Sequence, residues 1–397
     1  MKILYFVNYF PPLIGAAAIN SQKIAEYLVK LGHDIVVLAP NEMGNVFNIK
    51  KTKPNFAFSN LDVEYSSSII KFPLSLVFSH IENLLRFEIK LRKKFNPDII
   101  LSQHHAFHYA SVVGDYLSKK LKIPHIIRSH DIFLDLESRS FLYNLFVSLV
   151  HPQVYNSVSN SDICYLTTTE MKDFYLKFRK LHKVNFKIHP NGIDINEFYP
   201  FKNQDELKDK YACETIISFI GLMSYDIGIQ NLIRIFPEIL KTHKDTHLIL
   251  IGDGPYKKNL LEMIKRLNIS SNIHFLGAIP HNRISFYINN SDIGIGRITN
   301  KRQWKYMIPV KCLEYMACKK TFLTTPISKD ILKNNDIGLL LDKNFKDKDL
   351  IDNLIKLIED KSLREKLGEN GLKKIYEKFQ WETLMKNFNN DIKQIVS

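Results

Sequence analysis

Apolar residues along the chain recur in short unbroken runs, separated by stretches with helical spacing. Lys2-Ile-Leu-Tyr-Phe-Val7 is continuous, the pattern of a parallel strand buried on both faces. A loop follows over Phe10-Pro-Pro-Leu-Ile-Gly-Ala-Ala-Ala18. Residues 19–31 then carry Ile24, Tyr27, Leu28 and Leu31 on one face, with Gly32 at the end, and predict an amphipathic helix. Asp34–Ala39 is the next strand, so the chain opens with a strand–loop–helix–strand unit. Asp98–Leu101, Pro124–Ser129, Asp162–Leu166 and Phe186–His189 are further strands, and 106–121 is a helix. The turn cluster Pro190-Asn-Gly-Ile-Asp194 and the polar stretch 200–209 mark a boundary. After it the pattern restarts with Thr215–Ile220, His247–Ile251, Ile273–Leu276, Ile293–Ile295, Thr321–Leu323 and Gly338–Leu341, and closes with helices near 347–360, 362–377 and 381–395.

This alternation predicts an α/β protein of two doubly wound, Rossmann-like domains facing a central cleft. The expected division is 1–196 joined by the terminal helix 380–397, and 210–378. A length of 397 residues suits two domains. The Gly-x-Gly-x-x-Gly fingerprint and the P-loop are both missing, which disfavours nicotinamide and ATP enzymes of those kinds.

Charge narrows the partners. The formal net charge of +14 calls for an anionic one: nucleic acid, anionic lipid or a phosphorylated substrate. No RNA-binding signature, zinc finger or basic arm is present, so nucleic acid is not expected. The four cysteines, Cys164, Cys213, Cys312 and Cys318, are scattered, as in a reduced cytosolic protein. The apolar N-terminus is cut by Asn8 and Pro11-Pro12 and has no cleavage pattern, so no signal peptide is expected. No apolar run approaches the roughly 18–20 residues of a membrane span. A basic segment, Arg86, Lys90, Arg92, Lys93 and Lys94, is interleaved with Leu84, Leu85, Phe87 and Leu91, and follows the apolar stretch 69–78. A solvated face is the plain reading. The basic chain favours contact with an anionic membrane or an acceptor on it.

Candidate chemistry sits at strand ends. Gly15 and Ala16 lie where a strand loop meets a helix, either a tight turn or a place where backbone N–H groups reach an anion. Gly252 and Gly254 form a similar loop. His130 directly follows the strand Pro124–Ser129 and is a candidate for sugar contact. His104 and His108 have helical spacing, but no carboxylate or cysteine stands at matching distance, so no metal is expected. Met307-Ile-Pro-Val-Lys-Cys-Leu-Glu-Tyr-Met-Ala-Cys-Lys-Lys320 reads as a loop, a helix whose first turn holds Pro309, and an end at Lys319-Lys320.

Several of these segments, in this order, resemble the retaining GT-B glycosyltransferases of the family 4 type. Phe10-Pro-Pro-Leu-Ile-Gly-Ala is similar to that family's donor loop, and Ile123–Asp131 to the strand ending in its active-site histidine. Pro190-Asn-Gly-Ile-Asp-Ile-Asn-Glu-Phe198 is the most specific match. Gly252–Pro255, Asn272–Gly277 and Ser291–Ile293 follow, and Pro309-x-Lys311-x-x-Glu314-Tyr-Met-Ala317 resembles the nucleotide-sugar helix. The resemblance implies a nucleoside-diphosphate sugar as donor, retention of anomeric configuration, and no required metal or other cofactor. It implies that Glu314 binds the ribose and that the backbone near Phe275–Gly277 meets the base. Gly15 and Ala16 would approach the diphosphate, and His130 would contact the donor sugar. The acceptor would be a glycan or lipid-linked glycan at the inner membrane face, in cell-surface polysaccharide or glycolipid synthesis.

The chain also departs from the family. Tyr306 stands where the family's Glu-x7-Glu pattern has an acid. Leu222 and Ile227 stand where two cations usually hold the diphosphate. Each charge-assisted hydrogen bond contributes about 1.5–3 kcal/mol, so losing two costs roughly 3–6 kcal/mol, or about two to four orders of magnitude in rate. Arg302, Lys305 and Lys311, with Arg297 and Lys301, are either relocated phosphate clamps or ordinary surface cations. The competing reading is a non-catalytic GT-B scaffold subunit.

Overall fold

The computed structural model describes residues 1–11, 15–40, 60–65, 75–104, 109–130, 132, 141–201, 205–299, 306–332 and 336–396. The chain divides into two compact units, Met1–Asn191 with Trp381–Ser397, and Gly192–Gln380.

The first unit is built on seven parallel strands: β1 (Lys2–Phe6), β2 (Asp34–Ala39), β3 (Leu61–Tyr65), β4 (Ile99–His104), β5 (His125–Ser129), β6 (Ile163–Leu166) and β7 (Phe186–Ile188). They lie in the order β3-β2-β1-β4-β5-β6-β7. The central strands are apolar throughout because helices cover both faces; Ile3 to Val7 and Ile99 to Leu101 are all buried. From β1 the chain winds outward to β3, then crosses back to β4, so the order reverses between β1 and β4. The terminal helix Trp381–Val396 packs on this unit. Trp381 stacks on Tyr27 with ring centroids 6.4 Å apart. Asp391 accepts from the Tyr165 hydroxyl at 2.6 Å and pairs with Lys187 at 2.5 Å.

The second unit holds six parallel strands: β8 (Thr215–Ile220), β9 (Thr246–Ile251), β10 (Ile273–Gly277), β11 (Ile293–Ile295), β12 (Thr321–Thr324) and β13 (Leu339–Leu340), in the order β10-β9-β8-β11-β12-β13. Its order reverses between β8 and β11. Crevices at such reversals, beyond the carboxyl ends of the strands, are where open α/β sheets bind ligands.

Several elements differ from their sequence expectations. The first helix starts at Ala16, not Ile19, because three alanines after Gly15 suit a helix as well as a loop. The helix expected at 106–121 is observed over Ala110–Leu121, and 105–108, with His108, lie outside the described residues. Pro309 is not in the first helical turn. Its φ of −64° and ψ of 126° are extended, and it precedes a helix of Val310–Ala317. That helix stops before the lysines, and Lys319 takes a left-handed φ of 58°. The basic segment is not one helix: an α-helix ends at Arg86 and Phe87–Leu91 forms a π-helical turn, which carries Phe87 into the core. The edge strand β3 carries Asp62 and Glu64 between its apolar positions and had no continuous apolar run to announce it.

Candidate functional site

In the second unit the elements around the β8–β11 reversal converge on the helix Val310–Ala317. Strand β11 reads Ile-Gly-Ile and is followed by Gly296. A Cβ on Gly294 would come within 2.5 Å of the Tyr315 ring, and one on Gly296 within 3.3 Å of the Cys312 sulfur. Small residues here let the helix lie directly on the sheet, and the Tyr315 hydroxyl donates to the carbonyl of Ser218 on β8 at 2.9 Å. This packing fixes the rotation of the helix and so aims Lys311 and Glu314.

Glu314 is 5% exposed. Its Oε1 accepts from His281 Nε2 at 3.0 Å. The other ring nitrogen of His281 lies 4.0 Å from Glu197 Oε2, and the ring packs on Phe198 at a centroid distance of 5.3 Å. Phe198, just after the Pro-Asn-Gly-Ile-Asp turn, therefore packs on the histidine that meets Glu314, while Glu197 faces its other ring nitrogen.

Lys311 extends to the end of β8. Its Nζ stands 3.7 Å from the Phe219 ring centroid, and a Cβ on Gly221 would meet it at 3.0 Å. Burial and the neighbouring Arg297 guanidinium press its pKa down to about 7, opposed by Cys312 and Glu314. Arg297 itself is lowered to about 10, chiefly by burial. Burial lifts the Cys312 thiol to about 12, so at neutral pH it adds no negative charge. Two cations thus press together beyond β8 and β11, beside one acid. An anion entering that space relieves their repulsion.

The loops at Gly221 and Gly252 are stitched together. Gly221 N donates to Ile251 O at 2.9 Å, Gly252 N to Gly277 O at 2.7 Å, and Met223 N to Asp253 O at 2.9 Å. Gly252 has a φ of 135°, and a Cβ there would sit 1.9 Å from Gly221 O; at Gly254, with a φ of 157°, it would sit 2.5 Å from Met223 O. Both positions therefore exclude a side chain for reasons of packing alone. Phe275 is half-buried with the Lys257 ammonium 5.1 Å over its ring. Leu222 is 51% exposed, and Tyr306 is buried. Arg302 and Lys305 lie outside the described residues.

In the first unit, the β1–β4 reversal gathers a polar cluster. Gln103 is the penultimate residue of β4, and its Oε1 accepts from the backbone N–H of Asn8 at 3.0 Å. Its Nε2 lies 3.3 Å from His130 Nε2. Arg128, on β5, is fully buried. Its Nη1 faces both ring nitrogens of His130, Nε2 at 2.5 Å and Nδ1 at 3.1 Å, and its Nε donates to His189 Nδ1 at 3.2 Å. Its Nη2 donates to the carbonyls of His189 and Pro190 at 3.5 and 3.3 Å, and to Asn191 Oδ1 at 3.2 Å. Asn191 Oδ1 also accepts from Asn20 Nδ2 at 3.0 Å. Desolvating a guanidinium costs several kcal/mol, which this set of acceptors offsets without any carboxylate among the described residues. Gly15 caps the helix that carries Asn20.

The second unit matches the family model for glycosyl transferases group 1 over residues 201–374, and the first matches that for glycosyltransferase family 4 over residues 21–197. The chain is a group 1/family 4 glycosyltransferase. It is 24% identical to an alpha-monoglucosyldiacylglycerol synthase of Acholeplasma laidlawii over 320 residues, which is 76% of each chain. It is 24% identical to an N-acetyl-alpha-D-glucosaminyl L-malate synthase of Bacillus anthracis over 98% of this chain and 96% of that one. The HepE protein of Anabaena, solved in complex with UDP, superposes with a TM-score of 0.74 at 17% identity, covering 99% of this chain and 100% of that one. The fold is accordingly GT-B.

Residue patterns placed Glu314, Lys311 and Arg297 in one neighbourhood, and the structure gathers them. His281, Arg128 and Gln103 went unseen. His281 sits in a turn after Pro280, where a histidine has no local signature. Arg128 reads only as a polar interruption of an apolar strand, although a lone arginine inside such a run is itself a signal worth following.

Proposed function

We propose that this glycosyltransferase moves a sugar, with retention of configuration, from a nucleoside-diphosphate sugar to a glycan or lipid-linked acceptor in glycolipid or cell-surface polysaccharide synthesis. The observation that carries this reading is the pairing of a buried carboxylate with two crowded cations at the β8–β11 reversal. Glu314, oriented by His281, accepts hydrogen bonds from the ribose hydroxyls. Lys311 and Arg297 meet the diphosphate, doing the work of the cations replaced by Leu222 and Ile227. Arg302 and Lys305 are proposed as further clamps. Gly252, Gly254, Phe275 and Gly277 shape the floor and the base subsite, while Gly15 and Ala16 offer a helix N-terminus to the phosphates.

His130 faces the donor sugar and helps stabilise positive charge at the anomeric carbon. The step is a front-face displacement: the acceptor oxygen bonds to the anomeric carbon as the bond to phosphate breaks, and the leaving phosphate takes the acceptor proton. Because cations of the chain meet the leaving charge, the step is proposed to need no bound metal. The relatives are catalysts, and the cations have neighbours suited to an anion, so a scaffold role is not favoured.

The acceptor side is proposed to work on the inner face of the cell membrane. No helix among the described residues is long and apolar enough to cross a membrane. Leu85 and Ile89 are exposed beside Lys90, Lys93 and Lys94. Arg86 and Arg92, by contrast, are tied to Glu64, Glu82 and Glu88. The Acholeplasma relative's name, a diacylglycerol glycolipid synthase, is consistent with a lipid-side acceptor. Mass spectrometry of lipid-linked glycans from a strain lacking the gene tests the reading: a species missing one hexose supports it, and an unchanged profile opposes it.

A further inference from the structure

The second unit holds an open cavity that the proposed donor site does not use. It lies between the helical turn Tyr225–Ile227, the helices Ile229–Thr242 and Lys257–Arg266, and the segments at Thr299 and Phe345, and its volume is about 400 Å³. Small-molecule pockets run from roughly 300 to 1,000 Å³. Among the described residues that line it are neither Lys311 nor Glu314. We propose that this cavity is a second ligand site and that it takes a saccharide, an uncharged, hydroxyl-rich stretch of glycan. The proposal goes beyond the donor reading and does not depend on it.

Two tyrosines set its apolar side. Tyr225 and Tyr256 meet edge to face, with ring centroids 5.4 Å apart and planes at 80°. A perpendicular pair offers no parallel slot for a flat base. Tyr225 is 64% exposed. The face of an aromatic ring is electron-rich, and the weakly positive C–H groups on one side of a pyranose suit it.

The polar side is held in place by its own hydrogen bonds. Arg234 Nε and Nη2 donate to the two carboxylate oxygens of Asp347 at 3.0 and 2.6 Å, and its Nη1 donates to Asn231 Oδ1 at 3.1 Å. Asn231 Nδ2 donates to the carbonyl of Ile298 at 2.8 Å, and Gln230 Nε2 to that of Tyr225 at 3.0 Å. Side chains already ordered in this way lose little entropy when a ligand arrives. Arg266, which meets no carboxylate among the described residues, adds N–H donors, and Asp226 adds acceptors. A sugar hydroxyl both donates and accepts, so it can use such a mixed wall. Charge argues against a free anion. The guanidiniums of Arg234 and Arg266 are matched by the carboxylates of Asp347 and Asp226, which leaves no positive surplus. The space beside Lys311 and Arg297 differs in this respect, because there two cations stand beside one acid.

The test is saturation-transfer NMR with calorimetry on the full protein, using maltotriose, cellotriose and chitotriose, each with and without saturating UDP. Inorganic phosphate and uridine are the contrasting probes. At least one trisaccharide is expected to bind in both conditions, and to lose about tenfold or more in affinity in Tyr225→Ala and in Arg266→Ala. Both side chains are exposed, so both variants are expected to fold. Lys311→Met, at the separate cation pair, is expected to leave trisaccharide binding unchanged. A protein that fails to bind UDP would contradict the donor reading and leave this test intact. The proposal is overturned if no trisaccharide binds, or if binding survives both cavity variants. It is equally overturned if UDP or Lys311→Met abolishes the binding, which would put the sugar in the donor site. Phosphate or uridine bound through Tyr225 and Arg266 where no trisaccharide binds would overturn the ligand class.

Discussion

His281 Nε2 lies 3.0 Å from Glu314 Oε1, and this single contact joins two motifs far apart in the chain. Glu314 belongs to the helix after Pro309, and His281 is held by Phe198 and faces Glu197, at the end of the Pro190 turn. If Glu314 receives the ribose hydroxyls, His281 fixes which way its second oxygen faces. A charge-assisted hydrogen bond contributes about 1.5–3 kcal/mol, less here because His281 is one-third exposed. His281→Ala is therefore expected to weaken nucleoside-diphosphate binding by about tenfold, and Glu314→Ala by more, both read by calorimetry. Unchanged affinity in His281→Ala would leave that residue a bystander.

The pKa of Lys311 gives donor binding a pH signature. Its folded value of about 7 lies below the ordinary 10.5. Between those values the unfolded chain binds more protons, so the lysine's contribution to stability rises with pH through that window. Anion binding runs the other way, because the diphosphate favours the ammonium and draws in a proton. Affinity is expected to fall about tenfold per pH unit above roughly pH 7, and Lys311→Met to flatten that slope while weakening binding at low pH. Calorimetry in two buffers of different ionisation enthalpy measures the proton uptake directly.

Gly252 offers a test of the loop packing that is independent of any ligand. A methyl group there meets the Gly221 carbonyl at 1.9 Å, at a backbone φ of 135°. Gly252→Ala combines backbone strain with overpacking and is expected to cost about 2–4 kcal/mol, seen as a lower urea midpoint. A midpoint equal to wild type would show the loop to be looser than described.

The cations beyond Arg86 are not equivalent. Arg86 and Arg92 are committed to carboxylates, whereas Lys90, Lys93 and Lys94 are exposed next to Ile89. Each lysine near an anionic surface contributes about 1 kcal/mol, so reversing all three to Glu should weaken binding to phosphatidylglycerol vesicles by at least about 100-fold. Arg92→Gln should change it little. Cosedimentation distinguishes the two.

The parallel strands were legible because burial on both faces leaves a continuous apolar run; Thr215–Ile220 and Ile293–Ile295 fall where their sequence places them. Edge strand β3 was not, since one side of it is polar. The helix Phe141–Asn160 carries Pro152 in its interior, which breaks the local signal that tertiary packing overrides. At the candidate site, Glu314 and Lys311 could be found because they share one short helix. Gln103 meets Asn8 and His130, Arg128 meets Asn191, and His281 meets Glu314 across 27 to 95 residues of chain, and no local pattern encodes such contacts.

Calorimetric titration of the wild-type protein with UDP, GDP, ADP and dTDP tests the central claim most directly. At least one is expected to bind, with affinity lowered about 10- to 100-fold in Glu314→Ala and in Lys311→Met. If none binds, or if the one that binds does so equally well to both variants, the β8–β11 cluster is not the donor site.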